Sequence, residues 1–163
     1  MPEVVNVVFA GLGGQGVIKA SDILAEAVFR AGLDVKKAEI HGMSQRGGSV
    51  TSDVRFGTEV YSPMIPAGLA DFLVVLAPSQ VENNRHMLRP GGLLFPPDLV
   101  PEASLPNRRS LNVALLGALA HHLSIAEEHW RAAIAAALPE RLHDLNFKSF
   151  EVGRAAARAR AAA

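Results

Sequence analysis

The sequence predicts an α/β domain organised on a mainly parallel sheet, and three observations predict it. Short β-branched runs recur at 4–10, 34–40, 49–56 and 70–78. The first runs straight into a glycine cluster that opens an amphipathic helix, the alternation expected of strand–loop–helix units. Further on, "LNVALLGALAHHL" at 111–123 is apolar nearly all round, the mark of a buried helix. A chain of 163 residues that is 49% hydrophobic can bury one full core.

Taken in order, "VVNVVFA" (4–10) reads as a buried strand. Val17, Ala20, Leu24, Ala27 and Ala31 then recur at helical spacing, and Gly32 stands where that helix should stop. "DVKKAEI" (34–40) gives a second strand. In "SVTSDVRF" (49–56), Val50, Val54 and Phe56 face one way and Thr51, Asp53 and Arg55 the other, with Gly57-Thr58 read as a turn back into "EVYS" to make an antiparallel hairpin. "ADFLVVLAP" (70–78) is a buried strand. Ser79 and Glu82 form a capping box for a helix to about Arg89, which "PGG" ends before a short strand "LLF". Residues 96–110 read as a loop. After the buried helix, Ser124 and Glu127 form a second capping box, and Trp130, Ala133, Ile134, Ala137 and Leu138 stripe one face of another helix. The expected whole is a three-layer, mainly parallel, Rossmann-like sheet with helices on both faces and one antiparallel hairpin. A single domain is expected over 1–150, with 151–163 an Ala/Arg-rich tail that frays or docks on a partner.

Composition excludes several function classes. Sixteen basic and sixteen acidic side chains leave no surplus of positive charge for nucleic acid. No apolar run approaches the roughly 20 residues of a membrane-spanning helix, and the N-terminus lacks the pattern of a secretory signal. There is no cysteine, which agrees with a cytoplasmic location and leaves this chain without the thiolates that hold iron–sulfur clusters.

Two loops carry the chemistry. Gly11, Gly13 and Gly16 in "GLGGQG" fit G-x-G-x-x-G between a strand and a helix. Such glycines bring backbone N–H groups close to a phosphate at the positive helix end, or they let strand and helix pack closely; both readings stand. For a dinucleotide dehydrogenase the ribose ligand would be Glu39, which lies 23 residues past Gly16, a poor match. The second loop, "HGMSQRGGS" (41–49), sets His41, Ser44, Gln45 and Arg46 beside Gly47, Gly48 and Ser49. Arg46 offers a fork of donors to a carboxylate or phosphate; an exposed arginine on a surface turn is the competing reading. The six histidines show no metal-ligand spacing, and His121 and His122 near a helix C-terminus are read as dipole partners. No catalytic residue is assigned to this chain alone.

Together "GLGGQGVIKASDILAEA", "AEIHGMSQRGGSVTSDVRFG", "VYSPMIP", "NVALLGALA" and "NFKSFEVGR" resemble the small subunits of indolepyruvate (arylpyruvate) ferredoxin oxidoreductases. These subunits correspond to the gamma domain of the pyruvate/2-oxoacid:ferredoxin oxidoreductase family. The resemblance implies oxidative decarboxylation of a 2-oxoacid to an acyl-CoA, with electrons passed to ferredoxin. It implies thiamine diphosphate, Mg2+ and [4Fe-4S] clusters on a large partner subunit, and coenzyme A as co-substrate. Residue by residue, Gly11, Gly13, Gly14, Gln15 and Gly16 match the family's first loop, and His41 to Ser49 match the second. The second is expected to face the large subunit, with Arg46 positioning a substrate or CoA charge. The segment between "PGGLLF" and "NVALLGALA" is shorter than the family pattern. Two other readings remain: a stand-alone NAD(P)- or flavin-dependent Rossmann oxidoreductase, and a binding module that has lost its partner.

Overall fold

The computed structural model describes residues 4–41 and 48–163. Five strands, β1 (Val4–Leu12), β2 (Asp34–His41), β3 (Ser49–Gly57), β4 (Ala70–Val75) and β5 (Leu88–Phe95), form one sheet in the order β2-β3-β1-β4-β5. The helices are α1 (Val17–Arg30), α2 (Val81–Asn84), α3 (Leu111–Ala120), α4 (Glu127–Ala137) and α5 (His143–Ala162). β1 runs parallel to β4, and β4 to β5, while β3 is antiparallel to both its neighbours. Four strands therefore share one direction and β3 opposes them. The fold is the α/β sheet expected, mainly parallel and with helices on both faces.

The hairpin, however, lies elsewhere. β3 pairs with β2 from Asp34↔Gly57 to His41↔Val50 and with β1 from Val4↔Gly57 to Leu12↔Ser49. Gly57 is thus the last residue of a strand paired on both edges, and it is not among the positive-φ glycines. Residues 58–69 form no strand. The alternation in 49–56 predicts a strand paired through a turn at Gly57-Thr58 with "EVYS". Burial of Ser52 and Asp53 as well as Val54 and Phe56 shows a central strand instead.

Neither capping box forms. Ser79 lies inside a 3-10 turn (Pro78–Gln80), α2 lasts four residues, and a second 3-10 turn (Arg85–Met87) leads into β5. β5 begins at Leu88 and contains the Pro-Gly-Gly expected to precede it, which an edge strand tolerates because one side of its backbone has no ladder. α4 is preceded by Ala126 rather than capped by Ser124. Both boxes are local signals overridden by how the chain must enter the next packed element.

One face of the sheet is covered by α1, α3, α4 and α5, whose apolar residues join Val7, Phe9, Val54, Phe56 and Phe95 in a single core around Trp130. α1 stops as expected: Gly32 adopts φ 88°, its N–H donates to Phe29 O and Leu33 N–H donates to Val28 O, a Schellman closure. α3 and α5 touch backbone to backbone, because a Cβ on Gly153 would collide with the Ala114 carbonyl and one on Gly117 with that of Phe150. A buried Ser110–Ser149 hydroxyl pair at 2.6 Å crosses the same contact. α5 continues through 151–162, where Gly153 and Ala157 are buried. The segment read as a tail is packed helix in the structure.

His121 caps α3 and His122 follows it. His122 sits against Phe72 and Phe95. Burial, with the charges of His121 and Arg160, holds it below the ordinary histidine value. It favours the neutral ring, the reverse of a dipole-stabilised imidazolium.

The other face carries α2 and its flanking turns over β4 and β1, where Val81 and Met87 pack on Val8, Leu73 and Val75. Over β1 and β3 lies the irregular 58–69 segment, whose Val60 and Ile65 are buried, Ile65 against Val8 and Leu73, and whose backbone is tied down by side chains of the strands. Arg55 donates to Ser62 O (2.9 Å) and to Asn6 Oδ1 (2.9 Å). Asp53 accepts from Ile65 N–H at 3.0 Å, and Asp34 from Val60 N–H at 2.8 Å. Burial pushes the Asp53 carboxyl above its ordinary value, against the pull of the Ile65 N–H and the Arg55 charge.

Candidate functional site

The first glycine loop begins where β1 ends. Its three glycines in the G-x-G-x-x-G pattern serve different ends. A Cβ on Gly11 would lie 2.7 Å from Val17 Cγ2, so Gly11 permits strand and helix to pack. Gly13 N–H donates to Gly48 O at 2.9 Å. Gly16 has φ 83° and abuts Asn112, whose Nδ2 would lie 2.5 Å from an added Cβ. Gly14, with φ 88°, has open space where a side chain would be. Gln15 braces the turn: its Oε1 accepts from Leu12 N–H at 2.7 Å and its Nε2 donates to Leu76 O at 3.4 Å. Gly16 is the N-cap of α1 and no side chain caps it, so the first N–H groups of that helix are presented at the loop. An anion there would meet the positive end of a 14-residue helix.

The Gly13–Gly48 bond joins the two loops. With Leu12 opposite Ser49 in the ladder, the second loop leaves the sheet beside the first. His41 is exposed at the end of β2, its Nε2 4.0 Å from Glu39 Oε2. Ser44, Gln45, Arg46 and Gly47, with Gly42 and Met43, lie outside the described residues.

A cleft of about 920 Å³ opens at the carboxyl ends of β1, β4 and β5. Gly14, Gln15 and Gly16 form one wall; Leu76 and Pro78 follow β4; the segment from Pro97 to Asn112 forms the rest. α1, which follows β1, packs on one face of the sheet, and α2, which follows β4, on the other. The cleft therefore sits where successive connections diverge, the usual ligand position in open α/β sheets. Its lining carries Arg108 and Arg109 and, opposing them in sign, Asp98 and Glu102. Among the described residues neither arginine makes an ion pair. Asn112 Nδ2 donates to Gly16 O at 3.3 Å, linking the α3 end of the cleft to the first loop.

The sequence reading missed this second wall, having taken 96–110 as a plain connection. The available signal was the tandem arginine in "NRRS" just ahead of the buried helix. In the structure Asn107 Oδ1 accepts from Arg109 N–H at 2.8 Å and fixes the turn that carries the pair.

Glu39 is not placed to hold a ribose. β3 intervenes between β1 and β2, so the second strand is about 10 Å from the first, two strand spacings away. Glu39 pairs instead with Lys37 at 3.0 Å. Among the described residues no group of three His, Asp or Glu side chains could hold a metal ion, and no helix is long and apolar enough to cross a membrane.

Known proteins share this sequence and fold. The family described as "Pyruvate ferredoxin/flavodoxin oxidoreductase" matches residues 6–106. The chain is 33% identical to the indolepyruvate oxidoreductase subunit IorB of Thermococcus kodakarensis, over 94% of this chain and 96% of the relative. That alignment runs over 193 positions, more than the 163 residues here, so the relative has insertions that this chain lacks. Among solved structures, the keto/oxoacid ferredoxin oxidoreductase gamma subunit of Geobacter sulfurreducens superposes with a TM-score of 0.79 at 23% identity, covering 97% of this chain and 98% of that one. The 2-oxoglutarate:ferredoxin oxidoreductase of Magnetococcus marinus, solved with 2-oxoglutarate, coenzyme A and succinyl-CoA, gives 0.80 at 23% identity. There 98% of this chain corresponds to 32% of a longer chain.

Proposed function

The chain belongs to the pyruvate ferredoxin/flavodoxin oxidoreductase family, and we propose that it is the small subunit of an arylpyruvate-type 2-oxoacid:ferredoxin oxidoreductase. In that assembly a large subunit supplies thiamine diphosphate, Mg2+ and the [4Fe-4S] clusters, and ferredoxin takes the electrons. The described residues do not fit a cluster or a metal ion. The chain has no cysteine to ligate a cluster, and the described residues hold no metal-binding set. Its contribution is a binding wall in a cytoplasmic complex, not the redox chemistry.

The observation that carries this reading is the junction of the two loops. Gly13 N–H on Gly48 O sets the uncapped start of α1 and the root of the second loop side by side at the mouth of the cleft. Phosphates of coenzyme A suit such a wall: backbone N–H groups and a helix end on one side, Arg108 and Arg109 on the other. Gly14 keeps the backbone open to approach, Gly16 admits the close contact with Asn112, and Gly11, Gly13 and Gln15 hold its shape. In the second loop, Arg46 orients a substrate or CoA charge, with His41, Ser44, Gln45, Gly47, Gly48 and Ser49 as its setting toward the large subunit. The stand-alone dinucleotide enzyme finds no support in the position of Glu39.

Steady-state kinetics of the purified complex test the assignment. Wild type is expected to couple arylpyruvate oxidation to CoA. Arg108→Ala with Arg109→Ala should raise the KM for CoA about tenfold with kcat largely kept, the signature of lost ground-state binding. An unchanged KM for CoA would remove the arginine pair from the site. Arg46→Ala with undiminished CoA-dependent turnover would remove Arg46.

A further inference from the structure

We propose that Asn112 is a positioning residue of the cleft: its side-chain amide fixes the peptide unit that opens α1, and so aims the free N–H groups of the first loop at the ligand. This rests on the reading of the cleft as a coenzyme A site and adds the residue that sets its geometry.

Asn112 is the second residue of α3 and is 8% exposed, yet it lines the cleft beside Gly16. A buried amide without partners is destabilising, and this one has them on both sides. Its Oδ1 accepts from Val113 N–H at 2.9 Å, and its Nδ2 donates to Gly16 O at 3.3 Å. These partners admit one orientation of the amide, since a carbonyl only accepts and a backbone N–H only donates. One side chain therefore ties the start of α3 to the start of α1, 96 positions earlier.

The consequence for the loop follows from the planarity of the peptide bond. Gly16 O and Val17 N–H belong to one rigid trans unit and point opposite ways. Gly16 O already accepts the first hydrogen bond of α1, from Ala20 N–H at 3.0 Å. A second donor on the same oxygen, from outside the helix, holds that unit against rotation and with it the direction of Val17 N–H. That N–H opens α1 and has no partner within the helix. Gly16 cannot hold its own orientation, because a glycine at φ 83° has the widest choice of backbone conformations. The loosest residue of the turn is thus the one that Asn112 grips.

Backbone donors hold an anion best when they already point at it, because binding then requires no further ordering. Arg108 and Arg109 are exposed and can follow a ligand. The N–H groups of the loop cannot, and depend on what fixes the backbone. Gln15 fixes the part next to the sheet, through Leu12 N–H and Leu76 O. Asn112 fixes the part that becomes helix. The bond to Val113 N–H would be served equally by an aspartate; the donor to Gly16 O is what asparagine adds.

The test uses the purified complex, with CoA kinetics and equilibrium binding of CoA in the absence of 2-oxoacid. Asn112→Ala should raise the KM for CoA about tenfold with kcat largely kept, and weaken CoA binding by the same factor. Asn112→Asp keeps the shape and the bond to Val113 N–H but loses the donor, and should be impaired at least as much. Gly16→Ala adds a Cβ whose nearest neighbours are all atoms of Asn112. Its damage to CoA binding should therefore be smaller in an Asn112→Ala background, while the cost of its left-handed backbone is the same in both. A purely structural role would lower the thermal midpoint and leave both CoA readouts at wild type; that result overturns the proposal. Equal damage from Gly16→Ala in both backgrounds overturns it too. The Arg108→Ala, Arg109→Ala variant separates the two readings. If it raises the KM for CoA and Asn112→Ala does not, the positioning role alone fails; if neither does, the cleft is not the CoA site and both fall.

Discussion

The two faces of the sheet are held by different forces. On one, four helices bury an apolar core close enough for α3 and α5 to meet at Gly117 and Gly153 without side chains between them. On the other, Asn6, Asp34, Asp53 and Arg55 fasten an irregular segment by individual hydrogen bonds. The first kind of packing is stabilised by area and tolerates little change in shape. The second buries Val60 and Ile65 of that segment, fixes its backbone path by hydrogen bonds, and leaves Tyr61, Met64 and Leu69 facing outward. The covered face makes the domain stable; the fastened face fixes the course of a loop.

The sharpest way to break this comparison is at the helix contact. Gly153→Val places a side chain where the Ala114 carbonyl now lies, and should cost about 3 kcal/mol or more, since neither backbone can yield without repacking the core. Urea unfolding measures it. A cost below about 1 kcal/mol would mean the two helices are free to separate.

On the fastened face, Arg55→Ala removes the donors to Ser62 and Met64 and should cost about 2 kcal/mol. The distribution of the damage matters more than its size. Amide exchange should accelerate over 58–69 and leave α3 and α5 protected. Equal loss of protection across both faces would show that they do not behave as separate regions.

The smallest effect concerns pH, where the two faces respond with opposite sign. His122, on the helix side, is held below the ordinary 6.5. The unfolded chain takes up that proton first, so the stability His122 contributes is present above 6.5 and is lost as pH falls through its lowered value. Asp53, on the fastened side, is held above the ordinary 3.8. The folded chain takes up that proton first, so its contribution is fully present below 3.8 and is lost as pH rises through its raised value. In urea unfolding across a pH series, His122→Phe should reduce the loss of stability below pH 6.5. Asp53→Asn should remove the loss of stability that accompanies rising pH above 3.8. Curves parallel to wild type for either variant would show that the named group is not the source.

Much of the covered face was legible in the sequence because it depends on repetition. The spacing from Val17 to Ala31, the stop at Gly32 and the apolar run from Leu111 each state a helix face locally, and burial then enforces them. The fastened face was not legible. Whether Asp53 and Arg55 point to water or hold a loop depends on residues up to 49 positions away, such as Asn6. Residues 151–163 read as a tail because alanine and glycine carry almost no hydrophobic signal. Yet Gly153 and Ala157 are buried because their small size lets α5 approach. The first loop and His41 to Ser49 stand out in the sequence by motif. Arg108, Arg109 and Asn112 do not, since nothing in their spacing relates them to residues almost a hundred positions earlier.

The sequence by itself determined the class of fold, the place of each glycine loop at the end of a strand, and the lack of thiolates. These follow from periodicity, steric permission and composition, all of which are local or additive. Only the tertiary structure decided that β3 enters between β1 and β2, which removes Glu39 from the ribose position. Only it closed a cleft with the 97–112 segment and turned Tyr61 and Met64 outward. Those outcomes depend on which distant backbones pair and which polar groups are then left to fasten a loop, and no single stretch of sequence contains both partners.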